Sequence, residues 1–294
     1  MKKGLIYICI MMLLQHTSVW AKEQRMEKIL LSTALKEQKI TLKGISTTEP
    51  YNGKGLRITI ENITRENLLL VIDSAIIMRP ENAENQNLII GGTELLAINA
   101  GKPRILELQT YCGESDDQAP VAGHPYHFES TGSSNMGKVL AFVKANAVSN
   151  DMAQHAVWVL TNKHSLSDVY DYNNPELSRK LVAYMGQLLG LDAPQYFTVK
   201  EINAIQGAAV RPDKTLKLVA NLQWTLSAPE KLSLSIYNDK NERVASYFTG
   251  KDFVKGRYDL NASFETIDYP SGDYTIRLQT NTQEVLKEIK VRLE

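Results

Sequence analysis

Between Ser134 and Leu189 the apolar residues change their spacing, and that change limits the folds open to this chain. On either side, apolar and polar residues mostly alternate, the period of a strand with one buried face. Inside the stretch they recur at three and four, the period of a helix. The order is therefore strands, then helices, then strands again.

The first strand-rich part is punctuated by turn chemistry. Lys39 to Leu42 and Leu56 to Ile60 alternate, with Asn52-Gly53 between them. Leu68 to Ile77 is too densely apolar to alternate, so it reads as a strand buried on both faces or as two short ones. Leu88-Ile89-Ile90, Glu94 to Ile98 and Arg104 to Leu108 follow, separated by Gly91-Gly92 and Gly101-Lys102-Pro103. Cys112 then ends a strand, where Gly113 leads into the polar loop Glu114 to Gln118.

Three helices are predicted next. Val139, Leu140, Phe142 and Val143 give the first an apolar face. Ser149 or Asn150 can cap the second, with Asp151 complementing the dipole in its first turn. In that helix Gln154, Val157 and Trp158 stand at i, i+3 and i+4 and share one side. Pro175 opens the third, and Gly190 suits its C-terminal cap. Tyr196 to Ile202 returns to strand character. Beyond it, alternating segments with turns at Asn238 to Asn241 and Pro270 to Asp273 suit a sandwich of immunoglobulin-like size, without that fold's disulfide.

The expected architecture is an α+β N-terminal domain at 38–202, with β-sandwich or barrel-like strands plus about three helices. An all-β immunoglobulin-like sandwich at 214–294 follows. Residues 22–37 form a short helix or loosely attached leader, and 203–213 form a linker.

Lys2-Lys3, the apolar run Leu5 to Leu14 and the small residue Ala21 read as an export signal at 1–21. The expected location is periplasmic, secreted or cell-surface. No stretch reaches the roughly 20 apolar residues of a membrane-spanning helix. The formal charge is zero, and no lysine or arginine stripe offers a nucleic-acid surface. Of the two cysteines, Cys9 leaves with the signal, so Cys112 has no partner in its own chain. A lone thiol in an exported protein forms an intermolecular bond, serves a reactive site, or is a small buried hydrophobe.

Tyr111-Cys112, together with Gln154-His155-Ala156-Val157-Trp158, resembles the thioester domain of bacterial surface adhesins. That family carries a Tyr-Cys motif and a later Thr-Gln-x-Ala-Ile/Val-Trp motif; Ala153 stands here at the threonine position. The resemblance implies that Cys112 and Gln154 face each other and condense with loss of ammonia, in a pocket of Tyr111, Val157 and Trp158. It implies a covalent adhesin that uses its bond once on an amine or hydroxyl of a protein or glycan surface. His155 is the adjacent candidate for proton movement, although it stands about 100° round the helix from Gln154. The segments Leu234 to Asn238, Arg243-Val244 and Ser271 to Leu278 resemble immunoglobulin-like C-terminal domains of exported Bacteroidetes-type proteins, which serve as secretion signals or spacers.

Two other readings stay open. One is a non-reactive two-domain binding or assembly protein with a structural cysteine. The other is a cysteine hydrolase or acyltransferase pairing Cys112 with His124 or His127. Asp168, Asp171 and Asn173 lack the further ligands of a calcium loop and suit caps and turns. No phosphate loop or nucleophile elbow occurs, and no metal or cofactor is expected. The sequence leaves the oligomeric state and the ligand open.

Overall fold

The computed structural model describes residues 26, 28–49, 52–202, 205, 207–209 and 212–293. The export signal read at 1–21, with Cys9, lies outside the described residues, as do parts of the leader and linker.

The first part runs through β1 (Lys28–Leu30), α1 (Leu31–Lys36), β2 (Ile40–Ser46), β3 (Leu56–Asn62), β4 (Leu68–Ile72), β5 (Ile76–Pro80) and β6 (Leu88–Ile90). It continues with β7 (Glu94–Ile98), β8 (Pro103–Leu108), β9 (Thr110–Cys112) and β10 (Pro125–Thr131). One sheet has the order β8-β3-β2-β10-β5-β6-β9, and a smaller one the order β1-β4-β7. Leu56, Ile58 and Ile60 from the large sheet share an apolar core with Leu70 and Ile72 from the small one. Each such fully buried side chain contributes about 1.5–3 kcal/mol.

The alternation of β3 is what lets one face enter this core while Arg57 and Glu61 stay exposed. The large sheet is open: β8 and β9 are its two edges, and no barrel closes among the described residues. The barrel-like alternative is thereby corrected.

Two alternatives left open in the sequence are decided. The dense run Leu68 to Ile77 is two strands in different sheets, turned at Ala75, whose φ of 69° is left-handed. Of the two readings of the leader, the short helix is the one seen, at Leu31–Lys36, and the described part is held in place. β1 pairs in parallel with β4, and Leu31 and Ala34 of α1 are buried.

Three further helices are α2 (Ser134–Ala145), α3 (Asn150–Thr161) and α4 (Pro175–Leu189), with a 3-10 turn at Leu166–Asp168. Ser133 caps α2 by accepting from Met136 N–H. Ser149 is the N-cap residue of α3, yet its side chain makes no capping bond. Pro175 opens α4, Asn174 accepts from Leu177 N–H, and Gly190 closes the helix at a φ of 68°, where a glycine avoids the Cβ clash. Among these helices α3 is the unusual one. Every residue from Met152 to Val159 is buried, so its polar members Gln154 and His155 cannot turn to water. That forces the site.

The second part holds β11 (Tyr196–Ile202), β12 (Pro212–Leu226), β13 (Glu230–Tyr237), β14 (Arg243–Phe253), β15 (Gly256–Glu265), β16 (Gly272–Thr280) and β17 (Val285–Leu293). They form two sheets, β11-β12-β15 and β14-β13-β16-β17, in which every pairing is antiparallel. Leu218, Leu222, Leu234, Ile276 and Leu278 fill the core between them. The fold is therefore a mixed α/β region followed by an antiparallel β-sandwich.

The boundary drawn at 202 shifts. Tyr196–Ile202 pairs along β12 and so opens the second sheet pair instead of closing the first domain. It still touches the helices, because Phe197 packs in their core and stacks on Tyr170 at 4.7 Å.

Candidate functional site

Cys112 ends β9, an edge strand whose inner side pairs with β6. The backbone groups of successive strand residues point alternately to either side. Gly113 N–H reaches inward to Asn87 O, so the N–H and C=O of Cys112 face the free edge. Buried there without partners, they would each cost free energy.

Gln154 supplies both partners. Cys112 N–H donates to Gln154 Oε1 at 2.9 Å, and Gln154 Nε2 donates to Cys112 O at 2.8 Å. The carboxamide thus continues the ladder as a neighbouring strand would. Both residues are completely buried. The sequence placed the cysteine and glutamine together, and the structure brings them together through the cysteine's backbone.

The side chains of β9 diverge as strand side chains do. The Cys112 side chain joins the core between the sheets, with Met78, Leu88 and Tyr126. The ring of Tyr111 joins the helical core, with Ala153, Val157 and Met185. That ring lies so close to Gly91 that a Cβ there would sit 2.6 Å from it, which explains a residue without a side chain at 91. A groove of about 230 Å³ runs past Tyr111 and Gln109, and one of about 260 Å³ runs past Asn87 and Glu114.

The thiol sits in a setting that favours its neutral form. Burial pushes its pKa well up, and the nearby Glu114 carboxylate adds to the rise. Glu114 is itself raised by burial, against two hydrogen bonds that its carboxylate accepts from Asn87 at 2.7 Å each. Burial likewise raises the Tyr126 phenol, whose hydroxyl donates to Gln86 O.

Trp158 and Val157 are fully buried, as the shared face with Gln154 requires. Trp158 packs with Ala119 and Ile202. His155, one residue after Gln154, meets Trp158 edge-on at 5.6 Å. Its Nδ1, like Nε1 of Trp158, is buried without a hydrogen-bond partner. Burial pushes the imidazole down to about 4, and Lys200 and His164 add to this against Asp168 and Asp151.

A depressed histidine makes stability depend on acid. The group is neutral in the folded chain and takes up its proton readily when unfolded, so its contribution is complete above about pH 6.5 and falls as the pH drops toward about 4. We expect a loss of about 3 kcal/mol across that window. Urea titrations at stepped pH should show the slope in the parent and a flatter one in His155→Phe. Glu114 and Asp73, both raised by burial, act in the opposite sense, so the difference between the two proteins is the quantity to read.

His127 and His124 make their bonds elsewhere, with Glu81 and Ser46. β10 stands three strands from β9 in the sheet order. Tyr126 points into the core from β10, so His127 points out, where its Nε2 meets the Glu81 carboxylate at 3.0 Å. His124 lies in the turn before that strand, its backbone bonded to Ser46. Among the described residues no group of three or more His, Cys, Asp or Glu is placed to hold a metal. Asp171 instead caps a turn by accepting from Asn173 N–H, and Asp168 pairs with Lys200.

No protein-family model matches the chain, and no curated protein matches it. Among solved structures the chain is similar to a β-glucosidase from Kluyveromyces marxianus in complex with glucose, at 10% identity and a TM-score of 0.23. The match covers 81% of this chain and 44% of that one. A likeness so slight carries no argument about fold or activity.

Sequence reasoning missed a second polar cluster. Ser115 Oγ and His164 Nε2 are hydrogen-bonded at 2.9 Å, and the His164 ring lies 5.5 Å from Trp158. Nearby, Asp168 Oδ1 accepts from Thr198 Oγ1 at 2.6 Å and from Lys200 Nζ at 3.3 Å. Nothing in the spacing of these residues marks them, since β11 and the 3-10 turn meet only when the two parts pack. Among the described residues no helix is long and apolar enough to cross a membrane.

Proposed function

We propose that this chain is an exported surface-binding protein whose Cys112 and Gln154 condense into an internal thioester, a stored acyl group for one covalent attachment. The observation that carries the reading is the clamp of the Gln154 carboxamide onto Cys112. It holds the amide against the backbone of the residue that carries the nucleophile, and Cys112 N–H already donates to the oxygen on which negative charge would develop.

In that step the sulfur adds to the amide carbon, an S–C bond forms and the C–N bond breaks. The thiol proton leaves with the ammonia. A partner amine later displaces the sulfur, forming an amide and returning the thiol. The raised thiol pKa keeps the thiolate scarce, so the attack would be slow. Complete burial keeps water from the bond.

A second reading rests on the same contacts. Both amide groups of Gln154 are used by backbone, and the Cys112 side chain belongs to the apolar core. On this reading the pair is a structural lock in a non-reactive two-domain binding protein.

Intact mass separates the two. The thioester predicts a purified protein lighter by one ammonia, a deficit absent from Cys112→Ala and Gln154→Ala and exchanged for an adduct on treatment with methylamine. A full mass with no adduct leaves only the lock.

An immunoglobulin-like assignment of the second part is supported by two features. Its seven strands divide three and four, with strands one, two and five in one sheet. Tyr274, near the start of β16, donates its hydroxyl to Pro270 O at 2.9 Å, as the tyrosine of a tyrosine corner does. The outward role of this module is presentation or secretion.

A further inference from the structure

A cavity of about 400 Å³ opens where the 3-10 turn and the end of α3 meet the second sandwich. It is separate from the Cys112–Gln154 clamp. Its floor is built and nearly dry: the side chains of Asp168 and Lys200 are 6% and 4% exposed. Such a pair is costly to desolvate and is held here by further bonds, including the Thr198 hydroxyl on Asp168.

The walls carry three cations, Lys163, Lys200 and Arg292, against the one carboxylate of Asp168. Since Lys200 already answers Asp168, the surplus positive charge lies with Lys163, joined by Arg292 when a ligand draws it from Asp273. Arg292 is two-thirds exposed and reaches Asp273 at 3.0 Å outside the cavity, so a ligand carboxylate would compete for it at the rim. Hydroxyl-bearing side chains, among them Ser165 and Tyr196, complete the lining.

We propose that this cavity binds a small hydroxylated carboxylate of the uronic-acid class. The acid group would pair with Lys163 and Arg292, while ring hydroxyls would donate to Asp168 and bond the wall hydroxyls. The volume lies at the small end of ligand pockets, so it suits one sugar ring rather than a folded chain. Charge at the mouth and polar groups at the floor are the division of labour expected for an anionic polyol.

Thermal denaturation and calorimetric titration of the full chain with D-glucuronate test this, with D-glucose as the neutral control. Glucuronate should raise the melting temperature in a saturable way, and added salt should weaken the binding. The double variant Lys163→Ala/Arg292→Ala alters two exposed side chains and should bind about tenfold more weakly or worse while melting as the parent does. An equal response to glucose, no response to glucuronate, or undiminished binding by the double variant overturns the proposal. Because Cys112 takes no part, the result is independent of whether the thioester forms.

Discussion

Replacing Gln154 with leucine should destabilise the folded chain by about 2–5 kcal/mol, because two buried backbone groups each lose a partner. Leucine is similar in bulk and leaves little cavity, so the loss reports the hydrogen bonds to Cys112 N–H and C=O rather than packing. Urea denaturation near neutral pH measures it. A change below about 1 kcal/mol would mean that the edge of β9 finds other partners, and the clamp would lose its standing.

Gln154→Glu sharpens the test. A neutral carboxylic acid can donate to Cys112 O and accept from Cys112 N–H, whereas a carboxylate only accepts. Burial should raise the folded pKa of the new acid above its unfolded value. Its stabilising contribution is then complete below the unfolded pKa and is lost as the pH rises through the folded one. The variant should therefore approach the parent in acid and fall away toward neutrality. A loss independent of pH would contradict the two-bond geometry.

The second large effect lies at the junction of the two parts. Lys200→Ala should cost about 3–5 kcal/mol, since it strands the Asp168 carboxylate in a site where its side chain is 6% exposed. Removing both charges in Asp168→Leu/Lys200→Met should recover most of that loss, because neither unpaired charge remains. Denaturation of Asp168→Leu, Lys200→Met and the double gives the coupling directly. If the double is as damaged as the worse single, the pair acts through the Thr198 bond and the shape of the junction, not through charge. These variants also report on how the parts hold together, as Lys200 comes from β11 and Asp168 from the turn after α3.

The helices were legible for a local reason. The spacing of Val139, Leu140 and Val143, and the Pro175 and Gly190 that bound α4, act through backbone geometry within a few residues. The strands β2 and β3 were legible because one face of each is buried and the residues say which. The run from Leu68 to Ile77 was ambiguous because apolar density does not reveal which sheet a strand will join. Only the left-handed turn at Ala75 parts β4 from β5.

The sequence alone placed Cys112 at a strand end and Gln154 on one helix face with Val157 and Trp158, because residue identity and helical phase survive without coordinates; that the two belong together rested on the resemblance to thioester domains. Only the tertiary structure decided how they meet: the edge position of β9 turns the Cys112 backbone outward, and the burial of α3 on all sides denies Gln154 any other partner. The same holds for Asp168 and Lys200, which lie far apart in the chain and become an ion pair only after packing has removed water from between them. Side-chain chemistry is written locally; the desolvation that gives it energetic weight is a property of the assembled whole.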